Sequence, residues 1–397
     1  AALKASQSTG SASTGSARPA RAEVDLPAKT FDGFTLYTCV SDKDTGTKAF
    51  LINMQRQVVH RWEVDVGKIR HGRHGTRQID PSVCFFSSYL YPNGDLLVVL
   101  RGFKVSGLLK LDAESNVLWF RSENIHHDVD VAEDGTIYAV EKKACAAPPD
   151  GLERIPGPCT DDRVLAFSPD GELLREPISL LKAFADSPYA ALLSSLEEPN
   201  PKHQPPPEST APRVLEPPPQ IAGLRDTLHT NCVRELPRKL ASKFPAFEAG
   251  QILVSLRNPS VLAMLDPFQG HIVWATRGPW LAQHDPQFLD NGHLLIFDNL
   301  GSPSGSRVLE YDPQTRAIPW SYSGTGGSTF YTSERGMNQR LPNGNTFILD
   351  TEGGTMIEAA PDGEPVWSYS IDRVIASARR YAPEQLHFLP PGTHARP

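Results

Sequence analysis

Residues 341–367 read LPNGNTFILDTEGGTMIEAAPDGEPVW, and this stretch holds two hairpins in series. The first turns at Asn343-Gly344 between alternating apolar residues. Asn-Gly and Asp-Gly in that setting are the strongest short-range hairpin signal, because both central turn residues are expected at positive φ. The second hairpin runs from Met356 through a Pro-Asp-Gly turn and ends in Trp367.

Both halves recur along the chain. The Trp-ended hairpin returns as AFLINMQRQVVHRW (49–62), LLKLDAESNVLWF (108–120), LAMLDPFQGHIVW (262–274) and VLEYDPQTRAIPW (308–320), and without its Trp as VLAFSPDGELL (164–174). The Asn/Asp-Gly hairpin returns as LYPNGDLLVVL (90–100), VAEDGTIYAV (131–140) and FLDNGHLLIFD (288–298). A variant, LHTNCVREL (228–236) followed by GQILVSL (250–256), fills the same place in a fourth unit. Two hairpins per unit of about 40–55 residues make four strands, the size of a β-propeller blade. Six such units fit residues 31–373, so the sequence reads as an all-β, six-bladed propeller. A two-sheet sandwich would not explain one template repeating around the chain.

Outside the repeat the reading is simpler. Residues 1–22, rich in Ser, Ala, Gly and Thr, read as a flexible tail, and 23–397 as one propeller domain. Residues 178–221 are an insertion: Leu180, Leu181, Phe184, Leu192, Leu193 and Leu196 fall on one helical stripe. Nine prolines then crowd residues 199–220 and impose an extended segment. Residues 374–397 read as a C-terminal tail carrying one short helix. Of 397 residues, 39 are Lys or Arg against 46 Asp or Glu, a net charge of −7 that argues against a polyanion-binding protein such as a nucleic-acid binder. No apolar run is long enough to span a membrane. Among the five cysteines, Cys145 and Cys159 bracket one irregular loop, where either a disulfide or two free thiols fit.

Three of the 12 histidines fall into register. His127 precedes the turn residue Asp134 by seven positions, and His284 precedes the turn residue Asn291 by the same seven. His229 opens the equivalent strand of the fourth unit. Equivalent strands of different blades line the central channel, so these side chains converge. Alternation turns Asp128 and Asp285 away from their neighbouring histidines, and puts Asn231 on the side of His229. Arg257 ends an otherwise apolar strand, a costly place for a cation with no anion to meet. Three histidines, an arginine and an asparagine around one channel suit an anion with tetrahedral oxygens. There is no carboxylate pair for glycoside hydrolysis and no phosphate-binding glycine loop.

HHDV (126–129), HTN (229–231), SLR (255–257) and QHDPQFLDNGHLLIFDN (283–299) resemble, in order, the motifs of bacterial arylsulfate sulfotransferases, six-bladed propellers that work without PAPS. The resemblance implies transfer of a sulfuryl group from a phenolic sulfate donor to a phenolic acceptor by a ping-pong route. It implies no cofactor and no metal, and a periplasmic or extracellular setting. Carried across residue by residue, it makes His284 the nucleophile that becomes sulfohistidine and His229 the acid/base. His127, Arg257 and Asn231 would hold the sulfuryl oxygens. Known members also carry an N-terminal β domain tied to dimerisation; only the short tail precedes the propeller here, so the oligomeric state stays open. Two alternatives stand beside this reading: a non-catalytic propeller binding a partner or sulfated ligand, and a metal-dependent hydrolase using the three histidines as a zinc shell.

Overall fold

A computed structural model describes residues 23–40, 47–65, 69, 83–102, 106–194, 221, 223–324, 330–393 and 395–396. Their strands form six four-stranded antiparallel sheets arranged as the blades of a propeller. Five blades are consecutive in sequence: blade 2 spans 84–121, blade 3 125–179, blade 4 230–277, blade 5 284–322 and blade 6 337–370. In each of these the first strand is innermost: Cys84–Leu90, Ile125–Val131, Thr230–Glu235, His284–Phe288 and Met337–Arg340.

Blade 1 departs from the expected layout. Its three outer strands, Phe34–Cys39, Thr47–Ile52 and Val58–Val64, are joined on the inside by Ile375–Tyr381. Phe34 lies opposite Tyr381 and Tyr37 opposite Ala378. The segment read as a helical tail is therefore the innermost strand of the closing blade. Ile375, Ala376, Ser377 and Ala378 are all buried, and the three small side chains suit a strand lying against the channel; only a single helical turn, Pro383–Gln385, follows it.

Four of the five tryptophans that mark the repeat tie one blade to the next. Trp62 Nε1 donates to the Gly94 carbonyl of blade 2, and Trp119 Nε1 to the Pro169 carbonyl of blade 3. Trp320 Nε1 reaches the Pro361 carbonyl of blade 6, and Trp367 Nε1 the Met54 carbonyl of blade 1. Each indole combines a large apolar body with one directional donor. It closes the gap to the next blade and pairs a turn carbonyl there, and that recurring contact explains the recurring residue.

The turns are simpler than their sequences suggest. At Asn93-Gly94, Asp134-Gly135, Asn291-Gly292 and Asn343-Gly344 only the glycine is left-handed. These are turns with one positive-φ position, and only that position demands glycine. In blade 3 the outer strand is displaced. Phe167 and Leu173 make a single bridge, and the paired fourth strand is Ile178–Ser179. Leu180–Ala185 then forms a short helix whose Leu180, Leu181 and Phe184 are buried, capped by the Ser179 hydroxyl accepting from Lys182 N. Ala191–Ser194 is a second, separate turn of helix, so the leucine stripe is split in two. The flexible-tail segment 1–22, Leu196 and the proline-rich stretch 199–220 lie outside the described residues.

Cys145 and Cys159 are direct cross-strand neighbours in blade 3, yet both are free thiols. The Cys145 thiol donates to the Ala147 carbonyl at 2.8 Å. No helix among the described residues is long and apolar enough to cross a membrane.

Candidate active site

Four inner strands lose their alternation at the same level of the channel. Register shifts fall between Phe85 and Ser87, His126 and Val129, Thr230 and Cys232, and His284 and Gln287. His127, His229, Ala282 and Asp285 all have positive φ (62°, 52°, 55° and 44°). Left-handed non-glycine residues cost free energy and persist where surrounding structure over-determines them, often at functional sites. Here the irregular backbone leaves His127, His229 and His284 lining a cavity of about 280 Å³, while Asp285 turns the other way, toward Arg234 and Arg379.

His127, His229, Arg257 and His284 all line this cavity. Asn231 does not. Its bulge, between Thr230 and Cys232, defeats the alternation that would have kept it beside His229. Its amide instead donates to the Gln283 carbonyl at 2.8 Å, which ties the blade 4 strand to the residue just before His284.

The His284 ring is held firmly at one nitrogen and only by a long contact at the other. Nδ1 faces two carbonyl oxygens, Asn299 Oδ1 at 2.7 Å and Ala282 O at 3.0 Å. Asn299 is itself oriented by its amide nitrogen, which donates to Thr332 O (2.9 Å) and Arg335 O (2.7 Å). Two acceptors at Nδ1 require the proton there, so Nε2 carries the lone pair. Among the described residues Nε2 accepts from the Arg335 backbone N–H alone, at 3.2 Å. Burial, then the nearby Arg257 charge, push the His284 pKa down to about 3. The ring is neutral at any working pH.

A second group runs across the cavity wall. His229 Nδ1 lies 2.6 Å from Asp226 Oδ2, and its Nε2 lies 3.1 Å from His127 Nε2. His127 Nδ1 lies 2.6 Å from His126 Nδ1, and His126 Nε2 lies 3.5 Å from Asp162 Oδ1. Lys142 pairs with Asp226 at 2.6 Å. Burial lowers all three imidazole pKa values, that of His126 to about 4. Burial works to raise the Asp226 carboxyl, but His229 and Lys142 together hold it well below the usual range.

The wall is rich in cations. Arg101, Lys142, Arg257 and Arg335 line it against two carboxylates, Asp226 and Glu334. Arg335 lies 3.9 Å from the Phe86 ring centre and Arg101 5.4 Å. The Arg335 Nη1 is buried without a hydrogen-bond partner, and burial lowers its pKa to about 10. A desolvated guanidinium with an open donor, beside three more cations, is a site for an anion. Among the described residues no group of three His, Cys, Asp or Glu side chains is placed to hold a metal ion.

Six of these participants were not singled out as site residues from the sequence. Alternation put His126 on the face opposite His127, and the bulge brings both into the cavity. Asp226 precedes His229 by three residues in irregular chain, where spacing says nothing about direction. Lys142, Arg101 and Arg335 look like ordinary strand-end and loop cations. Asn299 was visible as the last residue of the longest motif, but only the fold shows what it touches.

Comparison with known proteins supplies the family. The sequence model of the arylsulfotransferase (ASST) family matches residues 92–372, well over half of the chain. No curated protein matches in sequence. Among solved structures, a protein of unknown function from Bacteroides caccae is similar at 13% identity, covering 87% of this chain and 98% of its own, with a TM-score of 0.54. That likeness shows the propeller fold. Virginiamycin B lyase from Staphylococcus aureus is similar at 10% identity over 72% of this chain and 70% of its own, at a TM-score of 0.37.

Proposed function

The chain belongs to the arylsulfotransferase family, an enzyme family acting on aryl sulfates, and from that premise we propose a ping-pong transfer through sulfohistidine at His284. The sulfuryl group moves from a phenolic sulfate ester to a phenolic acceptor with no nucleotide donor. What supports this most is the His284 ring: neutral, proton-bearing at Nδ1, with its Nε2 lone pair facing a cavity lined by four cations.

In the first half-reaction the Nε2 lone pair attacks sulfur, an N–S bond forms, and the S–O(aryl) bond breaks with its electron pair going to the phenolate oxygen. His229 protonates that oxygen. In the second, the acceptor phenol gives its proton to His229, its oxygen attacks sulfur, and the N–S electron pair returns to Nε2. Covalent capture divides one difficult transfer into two easier steps. Arg257 and Arg335 balance the non-bridging oxygens, as does the Arg335 backbone N–H already aimed at Nε2. Because Nδ1–H stays on Asn299 Oδ1 and Ala282 O, the group leaving in the second step is neutral imidazole rather than imidazolate, which is a far poorer leaving group. This is a reason for a neutral amide, and not a carboxylate, behind the nucleophile.

Treating the enzyme with nitrophenyl sulfate alone tests the reading by intact mass. A gain of about 80 Da that is absent in His284→Ala is expected, with one equivalent of nitrophenol released as the adduct forms and continuous release once a phenol is added. Turnover without any adduct, or an adduct that persists in His284→Ala, would sink it. The reading includes a periplasmic or extracellular location, which cell fractionation checks.

A further inference from the structure

The chain Asp226–His229–His127–His126–Asp162 contains two carboxylates that approach one imidazole pair from opposite ends. Proton positions follow from the ends inward. His229 Nδ1 lies 2.6 Å from the Asp226 carboxylate, so it carries hydrogen and leaves Nε2 with a lone pair. At the other end, His126 Nε2 and Asp162 Oδ1 are both buried without a hydrogen-bond partner and lie 3.5 Å apart. A hydrogen on His126 Nε2 turns its positive edge to that carboxylate, whereas a lone pair there would face it repulsively. His126 Nδ1 is then a lone pair, so the 2.6 Å contact requires a hydrogen on His127 Nδ1. His127 Nε2 is therefore a lone pair too, and it meets the lone pair of His229 Nε2 across 3.1 Å at the cavity wall.

We propose that His229 and His127 form a two-imidazole clamp for a single proton, with Asp162 and His126 as positioning residues that set the tautomer of His127. The clamp extends the function proposed above and rests on it. Two facing lone pairs at hydrogen-bond distance bind one proton between them and resist a second. The acceptor phenol's proton enters this gap in the second half-reaction. The same proton leaves it for the departing phenolate in the first half-reaction of the next cycle; the resting clamp takes its first proton from water, and after that the proton passes from acceptor to leaving group in each cycle. The charged groups facing the clamp are Asp226 and Asp162, which favour the proton, and Lys142, Arg101 and Arg257, which oppose it. The edge of Phe86 covers His127, with ring centres 5.2 Å apart.

The test uses the full chain and two donors, phenyl sulfate, whose phenolate needs a proton to depart, and nitrophenyl sulfate, whose phenolate departs more readily. Removing the Asp162 charge weakens the clamp as a base. In Asp162→Asn and His126→Phe the alkaline limb of kcat/KM should move to lower pH, and phenyl sulfate should lose about tenfold more than nitrophenyl sulfate. The His284 adduct should still form. Equal losses for both donors with an unmoved pH limb would overturn the clamp. Nitrogen-15 spectra of histidine-labelled wild type decide the matter independently of whether the variants fold. Hydrogen on His127 Nδ1 and His126 Nε2 is expected, and hydrogen on His127 Nε2 with His126 in the opposite tautomer would refute the assignment. If wild type forms no adduct while the tautomers are as assigned, the sulfohistidine reading fails and the geometry of the clamp stands.

Discussion

The HisAsp pairs at 127–128 and 284–285 send adjacent side chains into two unlike regions. On one side lies the cavity, where the His284 Nε2 lone pair meets only a long backbone N–H contact at 3.2 Å among the described residues, Arg335 Nη1 has no hydrogen-bond partner, and cations outnumber carboxylates. On the other, Asp128, Asp130 and Asp285 surround Arg234 at 3.1, 2.9 and 3.4 Å. Ser87 donates to Asp128, the Glu235 N–H to Asp130, and Arg379 and the Asn338 N–H to Asp285. The second region is closed, with its carboxylates matched by donors from several blades. The first is open and needs an anion from outside. Residues of the same types, one position apart, thus serve assembly on one side and chemistry on the other.

The largest expected effect falls on the open side. His284→Ala should cut sulfuryl transfer by roughly 10⁴-fold, measured as nitrophenol release, with a thermal midpoint close to wild type. Near wild-type turnover would remove the distinction between the two regions. On the closed side, Arg234→Leu leaves three buried carboxylates facing one another and should cost about 3–5 kcal/mol in denaturant unfolding. A loss under 1 kcal/mol would show that the network is not what holds the channel.

Acid separates the regions in a different way. The pKa values of His126 and His284 are lowered to about 4 and about 3 in the folded state, whereas in the unfolded chain each titrates near its ordinary value of 6.5. The unfolded state thus binds more protons below that value. Stability from these two neutral rings is complete above about pH 6.5 and falls as pH drops toward 4, by roughly 2 kcal/mol per histidine at pH 5. Urea midpoints at pH 7 and 5 measure it, and equal midpoints would contradict burial of the neutral rings. The smallest effect is the sharpest contrast. Arg335→Leu removes a desolvated, unsatisfied charge, so it should lower kcat/KM for the donor by about 10- to 100-fold while leaving the thermal midpoint equal or higher. A clear drop in midpoint would place Arg335 among the structural ions.

The propeller was legible in the sequence because its signals are local and repeated. Turn glycines and blade-clasping tryptophans each act within one hairpin or between neighbouring hairpins. Equivalence of His127 and His284 followed from the same register. What failed were inferences that run alternation through a bulge. Asn231 was assigned to the cavity and lies against Gln283, and His126 was passed over and lies in the wall. A bulge depends on neighbouring blades, so no local pattern announces it. The strand Ile375–Tyr381 was missed for a related reason: its partner, Phe34–Cys39, lies at the far end of the chain.

That last pairing has a consequence for how the molecule comes into being. Arg379, which answers Asp285 beside the nucleophile, lies on the last strand of the propeller to be synthesised. A ribosome-bound fragment that already contains His127, His229 and His284 has Arg234 but still lacks Arg379, the nearer of the two cations on Asp285. Joining strands so distant in sequence is slow compared with local hairpin formation, so the ring is sealed after its blades have taken shape. The reactive centre is therefore completed at the end of biogenesis, and incomplete chains hold its residues without its framework.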